Sequence, residues 1–160
     1  MNRIVLIALL YSQVYSWCML KNSASDGAIT QVDYSPNRDL FATISPSGNV
    51  RVWNAINHKI ITEIGDSPNS PTDIAFSYNN TVLAVAYSNG KIRFYDASSS
   101  FGEIVGFDAQ LGNGNLYMDF SDDSDYLLTC GGSNSKAHVW YKTDLATPDF
   151  TIDPVDAIAC

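Results

Sequence analysis

Between Ile29 and Asp153 the chain is written in short runs of Val, Ile, Leu, Phe, Tyr and Thr, broken at close intervals by Ser-Pro, Asn-Gly, Ser-Gly or Asp-rich punctuation. Runs of this length and composition read as β-strands, and the punctuation supplies tight turns that join strands antiparallel. The runs recur as a phrase. ITQVDYSP, LFATISPSG, NVRVWN and KIITEIG are followed by PTDIAFSY, VLAVAYSNG, KIRFYD and FGEIVGF, and these by NLYMDFSDD, YLLTCGGSNS, KAHVWY and DFTID. Tyr34, Phe76 and Phe120, near the ends of the first runs, stand 42 and 44 residues apart, while Trp53, Tyr95 and Trp140, in the third runs, stand 42 and 45 apart. Two separate anchors give nearly one period, so the pattern predicts an all-β fold with one four-stranded antiparallel sheet per repeat.

The same phrases resemble the WD-repeat β-propeller family, whose repeats of about 40 to 45 residues each supply four strands. The resemblance lies in YSP and FSY closing the first strand, in the small-residue second strand (FATIS, LAVAYS, LLTCGG), and in VRVWN, IRFYD and AHVWY closing the third. It implies propeller blades over residues 29–65, 71–109 and 114–154, preceded by a linker at 17–28, with VDAIAC at 155–160 as the first strand of a truncated fourth repeat. Propellers close with about four to eight blades, so three blades plus one strand make an incomplete ring. Three completions are open: a longer propeller, a second copy of the chain, or a small ring that enlists an N-terminal hairpin. The departures from the family matter too. The Trp-Asp dipeptide appears only as Trp53-Asn54, Tyr95-Asp96 and Trp140-Tyr141, no Gly-His dipeptide occurs, and Ser47, Asn89 and Asn134 replace the Asp between the second and third strands. The family's polar network of His, Asp, Ser and Trp is therefore not expected in its usual composition, and blade packing should rest on apolar burial.

Residues 1–16 read as a signal peptide: Arg3 precedes the apolar run Ile4–Leu10, and Val14-Tyr15-Ser16 resembles a cleavage site. The alternative is a decayed β-hairpin, because LIALLYSQVYSW can be laid against LAVAYSNGKIRFY. The run is too short and too interrupted for a stable membrane span, which needs about 20 apolar residues. A secreted or extracellular location follows from the first reading and a cytoplasmic one from the second.

The chain has 160 residues, and its net charge of −8 argues against a surface that tracks nucleic-acid phosphates. The stretch from Phe94 to Ser135 holds seven acidic residues and no basic one. Cys18, Cys130 and Cys160 have neither metal-ligand spacing nor an even count, so they define no zinc site and no disulfide framework. Cys130 aligns with Ile44 and Ala86 and reads as a buried small apolar residue. His138 falls in the slot of Arg51 and Arg93, two before the third-strand aromatic, and therefore reads as a structural position; His58 sits in a turn. Asp119, Asp122, Asp123 and Asp125 could suggest calcium, but they fall where the other repeats have a plain hairpin turn. Asn79-Asn80-Thr81 is a possible N-glycosylation acceptor on such a turn. Nothing in the pattern asks for a metal, a cofactor or a catalytic residue.

By the resemblance, partners would bind at the end of the blades that carries the second-to-third-strand turns and the connections between repeats. On this chain those loops place Ser47, Asn49, Asp66, Asn69, Asn89, Asp108, Asn113 and Asn134 as candidate partner-binding residues. The expected function is a non-catalytic scaffold for protein or peptide partners, with homo-oligomerisation as one way to complete the ring. The alternatives are a structural subunit of an extracellular assembly and a propeller-type hydrolase, the latter poorly supplied with histidines.

Overall fold

A computed structural model describes residues 28–45, 48–65, 69–142 and 147–153. Their strands form three four-stranded antiparallel sheets, as the repeat predicts. The first sheet takes β1 (Gln31–Tyr34), β2 (Leu40–Ile44), β3 (Asn49–Asn54) and β4 (Ile60–Gly65) in chain order. The second takes β5 (Pro71–Phe76), β6 (Val82–Tyr87), β7 (Lys91–Asp96) and β8 (Glu103–Asp108). The third takes β9 (Leu116–Phe120), β10 (Tyr126–Gly131), β11 (Lys136–Tyr141) and the short β12 (Phe150–Ile152). Each sheet is a meander, and the innermost strands β1, β5 and β9 lie side by side. The three sheets do not close a ring.

Period-two alternation decides how the sheets stack, because successive strand residues face opposite neighbours. Ala42, Ile44, Val50 and Val52 of the first sheet meet Ile74, Phe76, Leu83 and Val85 of the second in one buried cluster. Ala84, Ala86, Ile92 and Phe94, on the opposite face of that second sheet, meet Leu116, Met118, Leu127 and Trp140 of the third. Strand β6 is thus covered on both sides, which is why VLAVAY is an unbroken apolar run with alanines on its tighter face.

Two carboxylates tie the blades together. Asp33 accepts the Phe76 N–H at 2.8 Å across the first seam, and Asp73 accepts the Met118 N–H at 2.7 Å across the second. Burial raises both carboxyls: Asp73 is pushed up to about 6, the two backbone hydrogen bonds it accepts pull it back, and the nearby Asp33 and Asp119 charges add to the rise. Asp33 is raised for the same leading reason.

The polar network, not expected in its usual composition, is present in an altered one. Trp53 Nε1 donates to Thr43 Oγ1 at 3.0 Å, and Trp140 Nε1 donates to Thr129 Oγ1 at 2.9 Å, so two members persist in the first and third blades. In the second blade the Tyr87 and Tyr95 hydroxyls pair at 3.2 Å. The repeat alignment alone did not show that the second strand supplies a Thr diagonal to each Trp, two residues beyond its ladder partner.

Candidate interaction surface

Meander topology sends the β2–β3 turns and the connectors between sheets to one end of the blades, and the β1–β2 and β3–β4 turns to the other. At the connector end a concave site of about 370 Å³ opens where the innermost strands begin. Thr30 and Gln31 reach it from β1, Ser70, Pro71 and Thr72 from the entry to β5, Asn115 and Tyr117 from β9, and Ser88 from the β6–β7 turn. All three blades contribute. The backbone is fastened beneath it: Thr72 Oγ1 donates to the Leu116 carbonyl and accepts the Leu116 N–H, both at 3.3 Å, while Ser88 N–H bonds the Ser70 carbonyl at 2.8 Å and Gly114 N–H the Ser88 carbonyl at 2.9 Å.

The connector at 109–115 runs so close over the β10–β11 turn that side chains are excluded there. A Cβ on Gly132 would lie 2.1 Å from the Leu111 carbonyl oxygen, and one on Gly131 would lie 2.4 Å from that of Asn115; both glycines have positive φ. This is the physical reason the third repeat has Gly131-Gly132 where the others end β2 and β6 in larger residues.

Of the residues expected to bind partners, none lines this cavity, although several flank it. Asn69 and Asn89 adjoin Ser70 and Ser88. Asn89 and Asn134 are engaged in their own turns, their Oδ1 atoms accepting the Lys91 and Lys136 N–H groups, and Asn134 Nδ2 also donates to the Gln110 carbonyl at 2.7 Å. Asn49 opens β3, where its carbonyl accepts the Ser45 N–H. Asn113 is exposed in the connector, and Asp108 ends β8 opposite Lys91. Ser47 and Asp66 lie outside the described residues. The sequence reading chose the loops, whereas this cavity is lined at the first-strand starts by Thr30, Gln31, Thr72, Asn115 and Tyr117. Their only signal is position, just ahead of each first-strand apolar run.

The comparisons agree with this architecture. Residues 32–108 match the profile of the anaphase-promoting complex subunit 4 WD40 domain. The chain is 29% identical over 116 residues to eukaryotic translation initiation factor 3 subunit I of Coccidioides immitis, covering 71% of this chain and 32% of that protein. These matches and the three four-stranded sheets support a WD-repeat β-propeller family for the chain. A WD repeat-containing protein 91 homolog of Dictyostelium discoideum is 24% identical over 173 residues, which is 96% of this chain and 22% of that one. A chain in the crystal structure of a mitotic checkpoint complex superposes with a TM-score of 0.70 at 14% identity, over 82% of this chain and 40% of that chain. This WD-repeat chain spans about a third or less of the curated relatives it matches.

Several side chains have roles that the WD-repeat geometry makes plain. His138 is buried, with Nδ1 3.0 Å from the Ala109 carbonyl and its ring edge-on to Trp140. It faces Thr129 across the ladder as Arg51 faces Thr43 and Arg93 faces Val85, so it occupies a structural slot. The two arginines reach outward instead, to Glu63 and Glu103 on the neighbouring strand. The turn at Asp122–Asp125 is a hairpin turn in which Asp123 does what Asn37 and Asn79 do. Cys130 requires a correction: it is buried as expected, but it is disulfide-bonded. It shares its strand face with the exposed Leu128, not with Leu127 and Thr129, so the slot that the next blade covers at Ile44 and Ala86 is met differently here. The other cysteines, Cys18 and Cys160, lie outside the described residues, as do residues 1–27 and the proposed fourth-repeat strand. Among the described residues no helix is long and apolar enough to cross a membrane.

Proposed function

We propose that this WD-repeat chain is a non-catalytic scaffold that binds protein or peptide partners at the connector end of its blades. The observation that carries the reading is the concave site built from three blades and lined by hydroxyls, amides, a proline and one phenol. Such a lining can donate to and accept from a peptide backbone, and among the described residues it holds no carboxylate, imidazole or amine for acid-base work. The reading includes further blades, from a longer chain or a second copy, since about four to eight close a ring. The relatives' names concern translation initiation and a WD-repeat protein, and the structural neighbour belongs to a checkpoint assembly.

The test is quantitative affinity enrichment with the full chain from cells that express it, comparing wild type with Tyr117→Ala plus Gln31→Ala and with Ile56→Ala at the opposite end. Partners of this surface should fall at least tenfold with the double variant and persist with Ile56→Ala. Equal enrichment by all three proteins, with circular dichroism showing each folded, would overturn the assignment of the surface.

A further inference from the structure

Among the described residues, one face of the first sheet has no blade packed on it. The second sheet reaches the first through β5 and meets the face that carries Ala42, Ile44, Val50 and Val52. Ladder register defines the opposite face: Val32, Thr43 and Arg51 stand in one row across the strands, and Tyr34, Phe41 and Trp53 in the next. In the second blade the positions of Val32, Tyr34, Thr43 and Trp53 are held by Ile74, Phe76, Val85 and Tyr95, all buried against the first blade.

Burial on this face is uneven. Trp53 is only 6% exposed, close to the full burial of Trp140, which Phe107 of the second blade meets edge-on at 4.8 Å. Phe41 stacks parallel to Trp53 with centroids 5.8 Å apart, and Thr43 accepts its indole N–H; both belong to the same sheet as the ring. An indole on an open sheet face would keep its outer side in water. On the innermost strand the pattern reverses, for Val32 and Tyr34 are each 58% exposed. The burial is confined to β2 and β3 and stops short of β1.

A segment ahead of the first blade has this extent. LIALLYSQVYSW, residues 6–17, lies against the second and third strands of the second blade, Tyr11-Ser12 on Tyr87-Ser88, with Asn89 and Gly90 omitted. It matches the two middle strands of a blade and not the innermost one. Ala8 and Leu10 then fall at Ala84 and Ala86, Val14 at Ile92, and Trp17 at Tyr95. Ala84, Ala86 and Ile92 are residues with which the second blade covers the third. The 14 residues from Trp17 to Gln31 reach about 46 Å when extended, over twice the length of a six-residue strand, so they can return along the blade to β1.

We propose that residues 6–17 stay with the folded chain as a two-stranded partial blade, docked on the open face of the first sheet with Ala8, Leu10 and Val14 toward Thr43 and Trp53. Apolar burial drives the docking, and the small Ala8 permits close approach, as Ala84 does at the second seam. Without an innermost strand, the partial blade leaves Val32 and Tyr34 in water. The surface is separate from the connector cavity, so either assignment can fail without the other.

The experiment uses the full chain, made in the bacterial cytosol and isotope-labelled, with its three indole N–H signals assigned by NMR. The Trp53 ring should show nuclear Overhauser contacts to methyls of Ala8, Leu10 or Val14, and its N–H should exchange slowly with water. Leu10→Asp with Val14→Asp should speed that exchange at least tenfold, while the Trp140 indole keeps its shift and protection and so reports an intact fold. Val14→Ala, the milder change, should speed it several-fold. Tyr15→Lys, at the Arg93 position on the far side of the partial blade, should leave both indoles unchanged. Intact-mass measurement on the protein from cells that express it should find residues 6–17 retained. A mature chain that starts at Trp17, a Trp53 signal indifferent to both Leu10 and Val14 variants, or Trp53 contacts that prove intermolecular in a mixed-label sample would overturn the proposal.

Discussion

Asp73 shows how one residue sets the terms of a seam. Its carboxylate is buried and accepts the Met118 N–H of the next blade, yet burial pushes its pKa up to about 6 from an ordinary 3.8. The folded state therefore binds a proton that the unfolded state has released, and stability from this group falls as pH rises from about 4 to 6 and is flat above. A difference of this size corresponds to about 3 kcal/mol at most. Asp73→Asn keeps an acceptor for Met118 and removes the charge, so it should raise the melting temperature at pH 7.5 and change it little at pH 4, as scanning calorimetry across pH would show. An unchanged difference at both values would mean that the charge is not what the seam pays for. In the sequence this residue is inconspicuous, because an Asp within a strand reads as solvent-facing; only the packing of β5 against β9 reveals it as a link. The Thr43–Trp53 and Thr129–Trp140 pairs are similar, since pairing a second-strand Thr with a third-strand Trp needs the ladder register.

At the scale of elements, the turn joining the first two strands of each blade is built three times to one plan. Ser35, Ser77 and Ser121 donate from Oγ to Asn37, Asn79 and Asp123, and the same Oγ atoms accept the N–H groups of Leu40, Val82 and Tyr126. A side-chain oxygen two residues on from the Ser then accepts the N–H of Asp39, Thr81 or Asp125, which closes an Asx turn. Each turn leaves one residue with positive φ, namely Arg38, Asn80 and Ser124. Asn80 and Ser124 also serve the neighbouring turn, accepting the Asn37 and Asn79 N–H groups. Arg38 has no such compensating role shown, and its left-handed backbone costs about 1–2 kcal/mol for a residue with a Cβ. Arg38→Gly should therefore stabilise the protein by about 0.5 kcal/mol after the entropy cost of glycine, read as a small rise in urea midpoint. A fall would show that the arginine side chain contributes more than its backbone strain. The turns were legible in the sequence as punctuation, because Ser, Asn and Asp recur at fixed offsets. Their bonds from blade to blade were not.

Across the whole molecule, stability is the sum of blades and seams, as in other repeat proteins. The second seam is the tighter in side-chain size on the β6 side, where Ala84 and Ala86 are fully buried against the third blade. Ala84→Leu should wedge the blades apart and cost about 1–3 kcal/mol in urea denaturation, whereas Ile56→Leu, at an exposed turn, should stay within about 0.5 kcal/mol. Near-equal midpoints would indicate that the seam has slack that the buried alanines conceal.

What the sequence determined by itself is the repeat: four strands per period, their turns, and the family that such a repeat resembles, because strand and turn chemistry act over a few residues and are written locally. Tertiary structure alone decided which face of each strand meets which neighbour. That choice buried Phe101 in the first seam, put Thr30, Thr72 and Tyr117 around a shared cavity, and gave Asp73 its raised pKa. The reason is physical: burial, desolvation and close backbone approach belong to pairs of residues more than forty positions apart, and no local pattern records them.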